Sequence, residues 1–104
     1  MKLCNAFSLN MLSDLTAKAD FKEISLDEAR ALLVNGVDSA VGHEDTAAVF
    51  STVLDIDIEF NRTTVNLEKG DQILVGQYCG PRLQEGVTIL PEESTIKWVL
   101  VVVS

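Results

Sequence analysis

The chain has 104 residues, enough to bury one core and too few for two. Hydrophobic residues make up 47% and charged residues 23%, the composition of a soluble globular domain and not of a disordered one. Sixteen acidic residues against eight basic ones give a net charge of −8, which argues against a broad electrostatic surface for long DNA or RNA. A small anion held by a few arginines and backbone amides in one cleft is compatible with that exterior.

In chain order, Lys2 to Phe7 reads as a first strand. This segment lacks the apolar stretch and small-residue cleavage site of a secretory signal, so the expected location is cytoplasmic. Ser8 or Asn10 can cap a short helical turn after it. Ser25-Leu26-Asp27-Glu28 is a capping box, and Leu26, Ala29, Leu32 and Leu33 then share one helical face until Asn35-Gly36 stops the helix.

Ser39 to Val41 reads as a short strand that breaks at Gly42-His43. From Glu44, the residues Ala47, Phe50 and Leu54 recur at helical spacing, with Glu44 and Asp45 suited to the positive helix start. Asp55, Asp57 and Glu59 alternate with Ile56, Ile58 and Phe60, the period of a half-buried strand or extended segment; a magnesium site is not needed to explain the acids.

Thr63 to Leu67, a Glu68-Lys69-Gly70-Asp71 turn and Gln72 to Cys79 read as strand, turn and strand. Gly80-Pro81 ends the second of these, and Arg82 to Gly86 is loop or a single turn. Pro91-Glu92-Glu93 fits a Pro-led helical turn before a last, Val-rich strand, Ile96 to Val103, expected to be central and covered on both faces. Its apolar run, Trp98 to Val103, is far shorter than the roughly 20 residues that span a bilayer, so no membrane partner is expected. The sum is an α/β single domain, residues 1–104, with a mixed sheet of about five strands and two principal helices.

Polar residues follow the strands: Asn5, Ser8 and Asn10 after the first, His43 after a short one, Arg82 and Glu85 after a long one. If these strand ends share one edge of the sheet, the three groups share a cleft, where ligands of open α/β sheets bind. His43 is the only histidine, and imidazole exchanges protons near neutrality. Taken alone, a single histidine at a helix start is more often a cap than a catalyst.

Cys4 and Cys79 form no CxxC and read as small core residues. There is no zinc-ligand spacing, no P-loop and no GxSxG elbow, and no cofactor is expected. One histidine, Arg62, Arg82, Glu85 and short hydrogen-bonding side chains match metal-free cleavage of an RNA phosphodiester. There the substrate's 2′-hydroxyl is the nucleophile, and the protein supplies an acid, a cation and in-line positioning. An Arg82–Glu85 surface ion pair is the competing reading of those two residues.

Four blocks, residues 3–12, residues 39–46, Asn61-Arg62 and residues 82–86, together resemble the viral anti-CRISPR ring nucleases directed against type III CRISPR systems. The resemblance covers most of the chain with the blocks in the same order. It implies a homodimer that binds cyclic tetra-adenylate and cleaves it without metal into linear di-adenylates with 2′,3′-cyclic phosphate ends. Carried over by motif, His43 is the general acid, Glu85 positions or activates the ribose 2′-hydroxyl, and Arg82 stabilises phosphate charge. Asn5, Ser8, Asn10, Arg62, Gly42 and Thr46 fall at ligand-binding positions.

A two-fold dimer suits a two-fold ring, since each protomer then presents one His43 to one of two opposite phosphodiesters. Gly80-Pro81 stands where many members carry polar residues, and Gln84 replaces a frequent acidic residue. The alternative is a non-catalytic module of the same fold, a sponge for the messenger or a dimer that contacts another protein.

Overall fold

Apolar runs that are short in sequence become adjacent strands in the computed structural model, which describes residues 1–104. The elements run β1 (Lys2–Cys4), a single 3-10 turn (Leu9–Met11), β2 (Ala19–Ile24), α1 (Leu26–Leu33), β3 (Asp38–Ala40), α2 (Glu44–Leu54), β4 (Gln72–Cys79) and β5 (Thr95–Val103). They build an α/β domain with one five-stranded mixed sheet in the order β2-β5-β4-β1-β3. Strand β1 pairs parallel with β3 on one side and with β4 on the other, while β5 runs antiparallel to both β4 and β2. The carboxyl ends of β1, β3 and β4 therefore open onto the same edge.

Both faces of the sheet are covered, by different means. Leu3, Leu74 and Trp98 meet Ala29 and Leu33 of α1 and Ala47, Phe50 and Leu54 of α2 in one core. The Phe50 and Trp98 rings lie 5.1 Å apart, and a Cβ on Gly76 of β4 would come within 2.7 Å of both, so only glycine lets them close over the strand. The other face buries Cys4, Ile73, Val75, Val101 and Val103 under Val65, Leu67 and the partly buried Phe7, Met11 and Leu12. Strand β5 thus contributes to both cores, as its Val-rich run predicts.

The helix ends follow from their sequences. Ser25 accepts the Glu28 N–H at 3.1 Å while Glu28 returns to the Ser25 N–H, completing the capping box. Gly36 N–H donates to the Leu33 carbonyl beyond the last turn. At the far end of α2, Arg30 of α1 donates from Nε to the Leu54 carbonyl at 3.0 Å and from Nη2 to the Val53 carbonyl at 2.9 Å. It thereby satisfies carbonyls that a helix C-terminus leaves unpaired.

Two segments differ from the sequence reading. The first strand ends at Cys4 and not at Phe7. Thr63 to Leu67 is not a strand and makes no hairpin with β4; Val65 and Leu67 are buried against the sheet, and the segment's one bridge is the isolated, parallel Leu12–Leu67 pair. Of the two readings of Asp55 to Phe60, strand or extended segment, the strand is excluded, since the stretch lies outside the sheet: Ile58 is buried and tied to Ser51, and Ser39 Oγ donates to the Glu59 carbonyl. Pro91 opens the expected single turn before β5, with Ser94 N–H on its carbonyl. The fifth strand is instead β2, along the edge of β5.

Candidate functional site

The chain leaves β1 through Asn5 and β3 through Val41 and Gly42, and the two exits are fastened together. Asn5 Oδ1 accepts the Gly42 N–H at 3.3 Å. Asn61 braces the same exit, its backbone N–H on the Val41 carbonyl and its side-chain amide on the Ser39 carbonyl at 2.8 Å. Gly42 lies against the stem of Arg62, which stands 3.6 Å from where a Cβ would sit. Three residues assigned to one site, Asn5, Gly42 and Arg62, therefore meet at the strand exit that leads into His43.

His43 is the N-cap of α2, with extended backbone, and its side chain makes no capping hydrogen bond. It is exposed at the mouth of a pocket of about 350 Å³ lined also by Asp45 and Thr46 of α2, Tyr78 and Gly80 at the end of β4, and Arg82 and Leu83 of the following loop. A pocket at a helix N-terminus, with a guanidinium in its wall, is suited to an anion. The ion pairs of the molecule are Lys2–Asp38, Arg30–Asp27 and Lys69–Asp14, so Arg82 and Glu85 do not pair with each other.

The loop after β4 is anchored at its base. The Tyr78 hydroxyl donates to the Pro81 carbonyl and lies 2.8 Å from the hydroxyl of the buried Ser94. Gly80, at φ +157°, passes so close to Ser94 that a Cβ would collide with it and press on the Tyr78 hydroxyl. Glu85 lines an adjoining cavity of about 510 Å³ formed by Pro81, Arg82, Gln84, Val87, Ile89 and Pro91. Arg82 is the wall common to the two spaces.

The sequence-predicted residues thus divide. His43, Thr46 and Arg82 line one pocket, Glu85 the next, and Asn5, Gly42 and Arg62 lie behind the first. Ser8 and Asn10 line neither: the Ser8 hydroxyl accepts the Asn10 N–H at 3.2 Å and caps the 3-10 turn. Tyr78, Leu83 and Asp45 belong to the pocket although sequence reading passed over them. Tyr78 sits inside a strand pattern and Asp45 inside a favourable helix start, so neither stands out locally.

The two cysteines differ in setting. Cys4 is buried, and burial pushes its thiol above the ordinary range. Cys79 is only half-buried. No helix is long and apolar enough to cross a membrane.

A five-stranded mixed sheet with a histidine and an arginine gathered at the carboxyl edge of its parallel strands defines a small α/β domain with a polar pocket at that edge. The chain belongs to the STIV B116-like family, which it matches over residues 1–97. Uncharacterized protein 26 of Sulfolobus islandicus filamentous virus (isolate Iceland/Hveragerdi) is 41% identical over 69 residues, 65% of this chain and 58% of that protein. The matched stretch is thus a little over half of that relative's length. B116 of Sulfolobus turreted icosahedral virus shares the fold, with a TM-score of 0.80, 24% identity and 97% of each chain covered. The family is thus represented by proteins of Sulfolobus viruses.

Proposed function

We propose that the protein is a metal-independent ring nuclease that cleaves cyclic tetra-adenylate and so silences type III CRISPR signalling. The observation that carries this reading is the shared pocket of His43 and Arg82, with Glu85 across the arginine in the adjoining cavity. The ring-nuclease resemblance names the same three residues, and two of its four blocks, residues 39–46 and 82–86, supply walls of the pocket.

In this reading the ribose 2′-hydroxyl attacks the adjacent phosphorus, Glu85 orienting the hydroxyl and taking up its proton. Arg82 stabilises the charge on the phosphoryl oxygens. His43 protonates the departing 5′-oxygen, which leaves a 2′,3′-cyclic phosphate on one side and a 5′-hydroxyl on the other. Cleavage at two opposite linkages yields two linear di-adenylates.

A pocket of about 350 Å³ accommodates a phosphodiester and one sugar, not a ring of four nucleotides. The ring would therefore span two copies of the chain, and the proposal includes a homodimer with one His43 at each of two opposite phosphodiesters. Ordered phosphate contacts from few cations are enough here, because the acidic exterior only has to be overcome locally.

Incubation with cyclic tetra-adenylate in excess EDTA tests the reading. The expected product is linear di-adenylate ending in a 2′,3′-cyclic phosphate. A tight complex with no product would select the sponge instead, and neither binding nor product would remove the ligand assignment.

A further inference from the structure

In sequence, Asp45 is only a favourable charge in the first turn of a helix. In the structure its Oδ1 accepts the backbone N–H of Gly86 at 3.2 Å, joining α2 to a loop 41 residues further on. Two turns along the same helix face, Thr52 Oγ1 donates to the Thr88 carbonyl at 2.6 Å. The far limb of the 80–91 loop is therefore pinned to α2 at two points, and its near limb is held by the Tyr78 hydroxyl on Pro81. Arg82 and Glu85 lie between these anchors. Asp45 is also a wall of the pocket that His43 and Arg82 line.

We infer that Asp45 is a positioning residue that latches the 80–91 loop to α2, fixing Arg82 and Glu85 relative to His43, while its carboxylate opposes an anionic ligand in the same pocket. The two effects separate chemically. The latch needs only an acceptor oxygen, and the opposition needs the charge. Asn keeps the Oδ1 acceptor and loses the charge, whereas Ala loses both. The kinetic consequence rests on the phosphodiesterase reading; the latch itself does not.

The experiment combines limited trypsin digestion, followed at the Arg82–Leu83 bond, with cleavage kinetics on cyclic tetra-adenylate for wild type, Asp45→Asn and Asp45→Ala. In Asp45→Ala that bond should be cut about fivefold faster or more with the other sites unchanged, because only local opening is released. Asp45→Asn should be cut at close to the wild-type rate. In turnover, Asp45→Ala should lose about tenfold or more in kcat through misplaced Arg82 and Glu85. Asp45→Asn should keep most of kcat and lower KM by about threefold, since one repulsive charge is gone.

Thr52→Val leaves the first turn of α2 untouched and should also speed the Arg82–Leu83 cut, which keeps the latch testable if Asp45→Ala unfolds. Wild-type cutting rates in Asp45→Ala or Thr52→Val, or equal lability of Asp45→Asn and Asp45→Ala, would overturn the latch. A wild type that cleaves no ring would instead refute the phosphodiesterase reading, with the digestion still deciding the latch.

Discussion

The β3 side of the pocket is built into the sheet, whereas the side that carries Arg82 and Glu85 hangs from it by hydrogen bonds. His43 follows a strand exit fastened by Asn5 and by both the backbone and the side chain of Asn61. The Arg82 loop is exposed through most of its length and is held by Tyr78 at its base and by Asp45 and Thr52 of α2 beyond it. One half of the site thus inherits the rigidity of the fold, while the other half owes its position to a few side-chain oxygens. Substitutions behind His43 should cost stability, and those along the loop should cost turnover.

The sharpest division is expected at His43 itself. His43→Ala should lower cyclic tetra-adenylate cleavage by about 10²–10⁴-fold, the usual contribution of a positioned general acid. Its melting temperature should stay close to wild type, because the exposed side chain makes no capping hydrogen bond. Phe50→Ala probes the opposite extreme, a fully buried ring that α2 lays on the sheet, and should cost about 3–5 kcal/mol of unfolding free energy by denaturant titration. If that loss left the catalytic rate of the folded fraction unchanged, the sheet side would be more rigid than its packing alone requires.

Arg30→Ala should cost about 1–3 kcal/mol, because two carbonyls at the end of α2 lose a charged donor. Tyr78→Phe is a milder probe of the hanging side. It removes the hydroxyl between Pro81 and the buried Ser94, costs about 1 kcal/mol by thermal unfolding and should lower turnover more than Arg30→Ala does. Equal or smaller loss of turnover in Tyr78→Phe would break the contrast between the two sides. Smallest of all is a labelling difference: an alkylating reagent should modify Cys79 in the native protein and spare Cys4 until the chain is unfolded.

Much of this was legible in the chain. The Ser25–Glu28 capping box, the Asn35-Gly36 stop and the 3.6-residue recurrence of Ala47, Phe50 and Leu54 located both helices because each signal is local. Strand assignment failed where the alternation of buried and exposed residues did not reveal the hydrogen-bonding partner. Val65 and Leu67 alternate with exposed Thr64 and Asn66, yet the segment lies as a cover over the sheet and not within it. Ala19 to Ile24 shows the reverse, a true strand whose Phe21, Lys22 and Glu23 are all exposed, since pairing with β5 alone holds this edge.

At the site, the chemical types stood out and their supports did not. A lone histidine and an arginine in a polar loop are visible in any reading of the sequence. Asp45, Tyr78 and Ser94 acquire their meaning only once residues 41 or 16 positions apart are brought into contact. Ser8 and Asn10 erred in the other direction, since their polarity serves a turn.

In the proposed reaction His43 delivers the proton to the departing oxygen. The most direct test of that role is the single-turnover rate on cyclic tetra-adenylate in EDTA, measured for wild type and His43→Ala at enzyme concentrations that bind all of the ligand. Both proteins should bind the ring, and His43→Ala should cleave it about 10²–10⁴-fold more slowly. Equal rates in the two proteins would contradict that role.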